Sequence, residues 1–205
     1  MVEKVRGALR VTILMSGAAL FSACSTLPAS RTSPELENLW LAQQRSLGQF
    51  HRWVLSGRIA VQTGNQGWHV SVRWQQDAGT YHIALSAPLG QETAELQGDR
   101  QGMTLSLANG RSVSSADPEE LLFQQMGWRV PVKGLRYWVI GLPVPDTAET
   151  HALDRDGRLQ WLEQSGWRIS YRRYGEYSGK VLPTKIFLNN SEFKVRLVID
   201  EWVLS

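Results

Sequence analysis

What most constrains the folding of this chain is an apolar period of two, set up at Trp53 and renewed in short runs to Leu204. In the stretch from Trp68 to Trp74, Trp68, Val70, Val72 and Trp74 fall on one face. His69, Ser71 and Arg73 fall on the other, because successive strand side chains point to opposite faces. Similar runs cover 53–62, 81–85, 93–98, 103–107, 111–115, 152–154, 158–164, 167–174, 182–188 and 193–204. Turn residues separate them: Asn65-Gln-Gly67, Pro88-Leu-Gly90, Asn109-Gly110 and Asp156-Gly157. Short strands joined by tight turns predict an antiparallel meander, and so many strands in one sheet must curl.

Three helices interrupt this pattern. Ser33-Pro34-Glu35 supplies a cap, a first-turn proline and an acid, with Leu36, Leu39, Trp40 and Leu47 as an apolar stripe ending near Gly48. Asp117-Pro118-Glu119-Glu120 opens a second helix to about Met126. Leu135, Trp138, Val139 and Ile140 suggest a third, stopped by Gly141 and Pro143. The expected class is mainly β (α+β): a curled antiparallel sheet with helices against its concave side.

The N-terminus sets the compartment. Lys4, Arg6 and Arg10 precede the apolar run 11–21, which leads into Ser22-Ala-Cys24. This reads as a secretory signal over residues 1–23, too short to span a bilayer, which takes about 20 apolar residues. Cys24 is the only cysteine, so the chain forms no internal disulfide. Phe21-Ser-Ala-Cys24 resembles the bacterial lipobox, with Phe21 where leucine is preferred. The resemblance implies acylation of Cys24 as the first mature residue, and Ser25 in place of a retaining aspartate implies passage to the outer membrane. Two or more acyl chains would anchor stably, at about 0.8 kcal/mol per buried methylene. Residues 24–34 read as an acylated cysteine and flexible tether, and 35–205 as one domain. The net charge of +3 owes three basic residues and one acid to the signal. What remains is 19 basic against 18 acidic residues, which gives no footprint for nucleic acid.

Catalytic and metal patterns are missing from the sequence. His51, His69, His82 and His151 are scattered, and no GxSxG elbow occurs. Gly175-Glu-Tyr-Ser-Gly-Lys-Val181 is one residue short of a phosphate loop and has Val181 where Ser or Thr would bind magnesium, so it reads as a strand-end loop. Glu35, Glu37, Glu119 and Glu120 sit where helix dipoles account for them. These readings predict a protein that is not an enzyme, with no catalytic residues, cofactor or metal. The nine tryptophans are either core residues or the walls of a cavity for an apolar ligand.

Six segments in order and spacing carry a family resemblance: GRIAVQ at 57–62, VRWQQ at 72–76, APLG at 87–90, LRYWVIGLP at 135–143, GWRISYRRY at 166–174 and KVRLVIDEWVL at 194–204. Together they resemble the LolB family of outer-membrane lipoprotein receptors. The resemblance implies an incomplete antiparallel β-barrel of about eleven strands with a three-helix lid over an apolar cavity. It implies a monomer, anchored by lipid on the periplasmic face of the outer membrane. Its partners would be the soluble carrier LolA, the acyl chains of cargo lipoproteins and outer-membrane lipid, with no nucleotide used.

For the cavity walls, the strand faces and the lid offer Trp74, Leu85, Leu105, Trp138, Ile140, Trp167 and Tyr171. Alternation groups such residues without saying which face is inside. From the residues alone, Leu89 is either a turn leucine folded back on the core or an exposed one. The family resemblance implies that Pro88, Leu89 and Gly90 form a membrane-insertion loop. The leucine would contribute about 1.5–3 kcal/mol there, enough to orient a tethered domain. Two other classes remain open: a non-catalytic outer-membrane scaffold that binds a protein partner, and a lipid hydrolase without a visible nucleophile.

Overall fold

A computed structural model describes residues 33–87 and 92–205. The sequence runs β1 (Arg52–Thr63), β2 (Gln66–Asp77), β3 (Thr80–Ser86), β4 (Glu92–Gly98), β5 (Met103–Leu107) and β6 (Ser112–Ser115) form a meander. A second meander follows: β7 (Glu149–Leu153), β8 (Leu159–Gln164), β9 (Trp167–Tyr177), β10 (Lys180–Asn189) and β11 (Phe193–Leu204). The two halves join where β11 pairs with β1, giving one eleven-stranded sheet in the order β6-β5-β4-β3-β2-β1-β11-β10-β9-β8-β7. All pairings are antiparallel. Among the described residues β6 and β7 are free edges, so the barrel is not closed.

Curvature has a local cause where the halves meet. The β1–β11 register shifts between Ser56 and Gly57. A Cβ on Gly57 would lie 2.2 Å from the Val198 carbonyl oxygen, so only glycine fits this close approach. Inward residues of adjacent strands then converge, with the Trp53 ring 5.1 Å from Trp74 and 5.4 Å from Trp202 between centroids.

Each helix is started by its own residues. In α1 (Pro34–Gly48) the Ser33 hydroxyl accepts from the Leu36 amide. Trp40 and Leu47 are buried, but Leu39 is 45 % exposed, unlike the expected stripe. One position is about 100° around a helix, so a face centred on Trp40 and Leu47 leaves Leu39 at its margin, beside the Gly157 turn. In α2 (Pro118–Met126) Asp117 accepts from the Glu119 and Glu120 amides, and Gly127 closes the helix in the left-handed region. The third helix, α3 (Val132–Trp138), begins earlier than its apolar residues suggested, and a turn follows to Gly141. Glycine-lysine 179–180 belongs to a hairpin: Ser178 and Gly179, both at positive φ, join β9 to β10.

A buried glutamine fastens α3 to the sheet. Gln164, 3 % exposed, accepts from Trp138 Nε1 at 2.9 Å and the Val144 amide at 2.8 Å. Its own amide donates to the carbonyls of Val144 and Thr147. Every polar atom of the side chain is thereby satisfied, the condition for burying one. The Tyr171 hydroxyl adds a bond to the Trp138 carbonyl at 3.0 Å.

Candidate functional site

Between the sheet and helices α2 and α3 lies a hollow of about 130 Å³. Leu55, Ile59 and Val61 reach it from β1, Val72 and Trp74 from β2, Ile83 and Leu85 from β3, and Leu96 from β4. From the other half come Trp167, Leu188, Phe193, Val195 and Leu197. The cover consists of Leu122 from α2, Trp128 and Val130 from the connection, and Val132, Leu135 and Val139 at α3. All nineteen lining residues are Leu, Ile, Val, Trp or Phe. Among the described residues no titratable group lines this space, which suits it to excluding water around an apolar guest.

Burial is graded along the hollow. Val72, Trp74, Ile83, Leu85, Leu122 and Leu197 are buried, whereas Ile59, Val61, Trp128, Val130, Leu135 and Val195 are only half-buried. The half-buried group marks a rim at the far ends of β1 and β11, where Val61 faces Val195 across the strands. Trp68, 37 % exposed, extends this rim, its ring 6.2 Å from that of Trp128. Strand β3 ends at Ser86 opposite Ser71 on β2, toward the same end of the sheet.

The seven residues offered from sequence fall into two groups. Trp74, Leu85 and Trp167 line the hollow. Leu105, Trp138, Ile140 and Tyr171 are buried but do not border it. Trp138 and Tyr171 are held in the hydrogen-bonded cluster around Gln164. Leu105 lies on β5, farther out along the sheet, and Ile140 faces a separate cavity beyond α3. On β2 the lining residue not singled out, Val72, shares the alternating face of Trp74, and that shared face was the available signal. Cys24, Pro88, Leu89 and Gly90 lie outside the described residues.

The perturbed groups among the described residues lie away from the hollow. Burial pushes the Tyr171 phenol well above its ordinary value, with Tyr174 a smaller cause. Burial raises Tyr174 too, helped by Asp154, and pushes Tyr81 up to about 12. At the start of α2, burial and then Asp117 raise the Glu119 carboxyl. In each of these groups burial is the largest cause of the shift.

An unclosed β-sheet folded around an apolar hollow and covered by helices defines a class of half-open β-barrel. Solved structures share it. A DUF1329 family protein from Desulfovibrio piger has a TM-score of 0.56 at 7 % identity, covering 83 % of this chain and 92 % of that one. A LolA superfamily protein from Nitrosomonas europaea has a TM-score of 0.53 at 8 % identity, covering 83 % and 93 %. At those identities the likeness speaks for fold alone.

Sequence comparison is more specific. The family described as "Outer membrane lipoprotein LolB" matches residues 51–202. Relatives named outer-membrane lipoprotein LolB include one from Nitrosococcus oceani, 36 % identical over 95 % of this chain and 98 % of its own. Another, from Pseudomonas paraeruginosa, is 35 % identical over 95 % and 96 %. The chain belongs to the LolB family of outer-membrane lipoproteins.

Proposed function

We propose that this protein is an outer-membrane receptor that takes the acyl chains of lipoproteins from the periplasmic carrier LolA and delivers them into the outer membrane, without nucleotide hydrolysis. The observation that carries this reading is the hollow, with its wholly apolar lining and its rim of half-buried side chains. A C16 chain represents roughly 12 kcal/mol of burial at about 0.8 kcal/mol per methylene, so it has to pass between apolar hosts without standing in water. The reading makes the protein a carrier rather than an enzyme, bound to the periplasmic face through lipid on Cys24. It gives Pro88, Leu89 and Gly90, between β3 and β4, the role of touching the bilayer.

The size of the hollow adds a condition. A dry cavity of about 150 Å³ admits one benzene. At about 130 Å³ the hollow takes a comparable piece of an acyl chain. Seating a whole chain therefore requires the α2–α3 cover to give way, and the unpaired edges of the sheet leave it free to do so. The test mixes lipoprotein-loaded LolA with liposomes that carry the full chain and follows the cargo by flotation. Cargo should move to the liposomes only when the chain is present. Cargo that stays with LolA, or moves equally to bare liposomes, defeats the proposal.

A further inference from the structure

The motif Leu135-Arg-Tyr-Trp-Val-Ile-Gly-Leu-Pro143 divides between two cavities. Leu135 and Val139 face the hollow, while Arg136, Tyr137, Ile140, Leu142 and Pro143 line a second cavity of about 730 Å³. This second cavity lies by Trp53 at the start of β1 and Gln76 at the end of β2, opposite the rim of the hollow. Its volume falls within the range of small-molecule sites, about 300–1,000 Å³.

The side chains here differ in kind from those of the hollow. Arg136, Arg100 and His51 contribute basic groups, and among the described residues no aspartate or glutamate lines the cavity. Among the described residues neither arginine has a carboxylate within ion-pair distance. The carboxylates adjacent in sequence are engaged elsewhere: Asp77 with Arg52, and Asp99 with the amides of Gln101 and Gly102. Arg136 offers five N–H donors. Its Nη2 donates to the Tyr137 hydroxyl at 2.7 Å, while its Nε is buried without a partner. Around these cations stand Leu47, Phe50, Trp53, Ile140, Leu142 and Pro143.

We infer that this second cavity binds an anionic amphiphile, an oxyanion of the phosphate or carboxylate type joined to an aliphatic body. The planar guanidinium of Arg136 meets the oxyanion along its Nη1–Nη2 edge, using the N–H groups not donated to Tyr137, and Arg100 adds charge from the β4–β5 turn. The apolar walls take the aliphatic part. Such a site goes beyond acyl-chain transfer: an uncharged tail suits the hollow, and only a charged head needs the second cavity.

Calorimetric titration of the full chain in maltoside detergent tests this, with hexyl phosphate, inorganic phosphate and hexyltrimethylammonium as probes. Hexyl phosphate should bind saturably, and Arg136→Gln or Arg100→Gln should each weaken it at least tenfold with thermal melts unchanged. Arg136→Lys, which keeps charge without the fork, should fall between. Should Arg136→Gln fail to fold, Arg100→Gln decides the matter alone. Absence of saturable binding overturns the site, as does wild-type affinity in the folded glutamine variants. Equal affinity for hexyltrimethylammonium removes the anion selectivity and overturns it too. Inorganic phosphate binding as tightly as hexyl phosphate would assign the cavity to the free anion and overturn the amphiphile.

Discussion

Replacing Val72 by phenylalanine tests whether the hollow houses the guest. Val72 is buried on β2, and its side chain borders the hollow beside Trp74 and Leu85. A phenyl ring is about the size of the benzene that fills a 150 Å³ cavity, so it would occupy most of the roughly 130 Å³ present. Overpacking costs about 1–3 kcal/mol, and the new apolar contacts offset part of that, so the variant should fold. The ring displaces about six carbons of acyl chain, about 5 kcal/mol at 0.8 per methylene, or up to a thousandfold and more in affinity. Movement of the cover can restore some of this, so the expected loss is at least tenfold.

The assay is titration of the chain lacking residues 1–24 with an environment-sensitive fluorescent fatty acid, beside urea unfolding of the same sample. Leu105→Ala serves as the control. Leu105 is wholly buried but does not border the hollow, so its truncation should cost about 2–5 kcal/mol of stability and leave probe affinity unchanged. A folded Val72→Phe with wild-type affinity would place the guest elsewhere. Loss of binding in Leu105→Ala to the same degree would show that affinity follows general stability.

Gln164→Leu strands Trp138 Nε1 and the Val144 amide. At about 1–3 kcal/mol per unsatisfied group it should cost roughly 2–6 kcal/mol in urea titration and speed amide exchange over residues 138–147. Stability should also fall in alkali, because burial raises the Tyr171 and Tyr174 phenols. Their contribution is full below the ordinary phenol value of about pH 10. Above it the unfolded chain releases protons that the folded chain keeps, and about 1.4 kcal/mol is lost per pH unit for each phenol, until the folded phenols ionise. A flat urea midpoint between about pH 9 and 11 would contradict this. Leu89→Glu should leave the melting temperature and probe binding unchanged while cargo accumulates on the receptor instead of reaching liposomes; a melted domain would make Leu89 a core residue.

The strands were legible because alternation is a strong local signal. The face shared by Trp68, Val70, Val72 and Trp74 persists along β2, with burial increasing toward Trp74. Helix starts were legible for the same kind of reason: Ser33 and Asp117 cap through bonds that reach only two or three residues. The walls of the hollow were less so. Trp138 and Tyr171 have the size and polarity of cavity residues, but Trp138 donates to Gln164, 26 residues away, and Tyr171 donates to the Trp138 carbonyl, 33 residues away. Nothing local distinguishes a tryptophan that borders space from one that donates to a distant glutamine. The basic cavity was hidden similarly, since Arg100, Arg136 and His51 lie on three separate elements and only folding makes them neighbours.

If the hollow takes a long chain, as proposed, the cover has to account for it. Leu122, Val132, Leu135 and Val139 line it from the helices. Exposing all four to water would cost about 6–12 kcal/mol, at about 1.5–3 kcal/mol each. This is comparable to the roughly 12 kcal/mol gained by burying one C16 chain. Lifting the cover in water without a guest is therefore rare. With a guest in place, the same four side chains pack against methylenes, and most of the cost vanishes. On the proposed function opening and loading are one event, with the donor presenting its chain at the rim beside Trp68 and Trp128 as the cover lifts. On the proposed reading the chain is buried in both protein hosts, so exchange between them is close to reversible, and direction has to come from a further, more apolar acceptor.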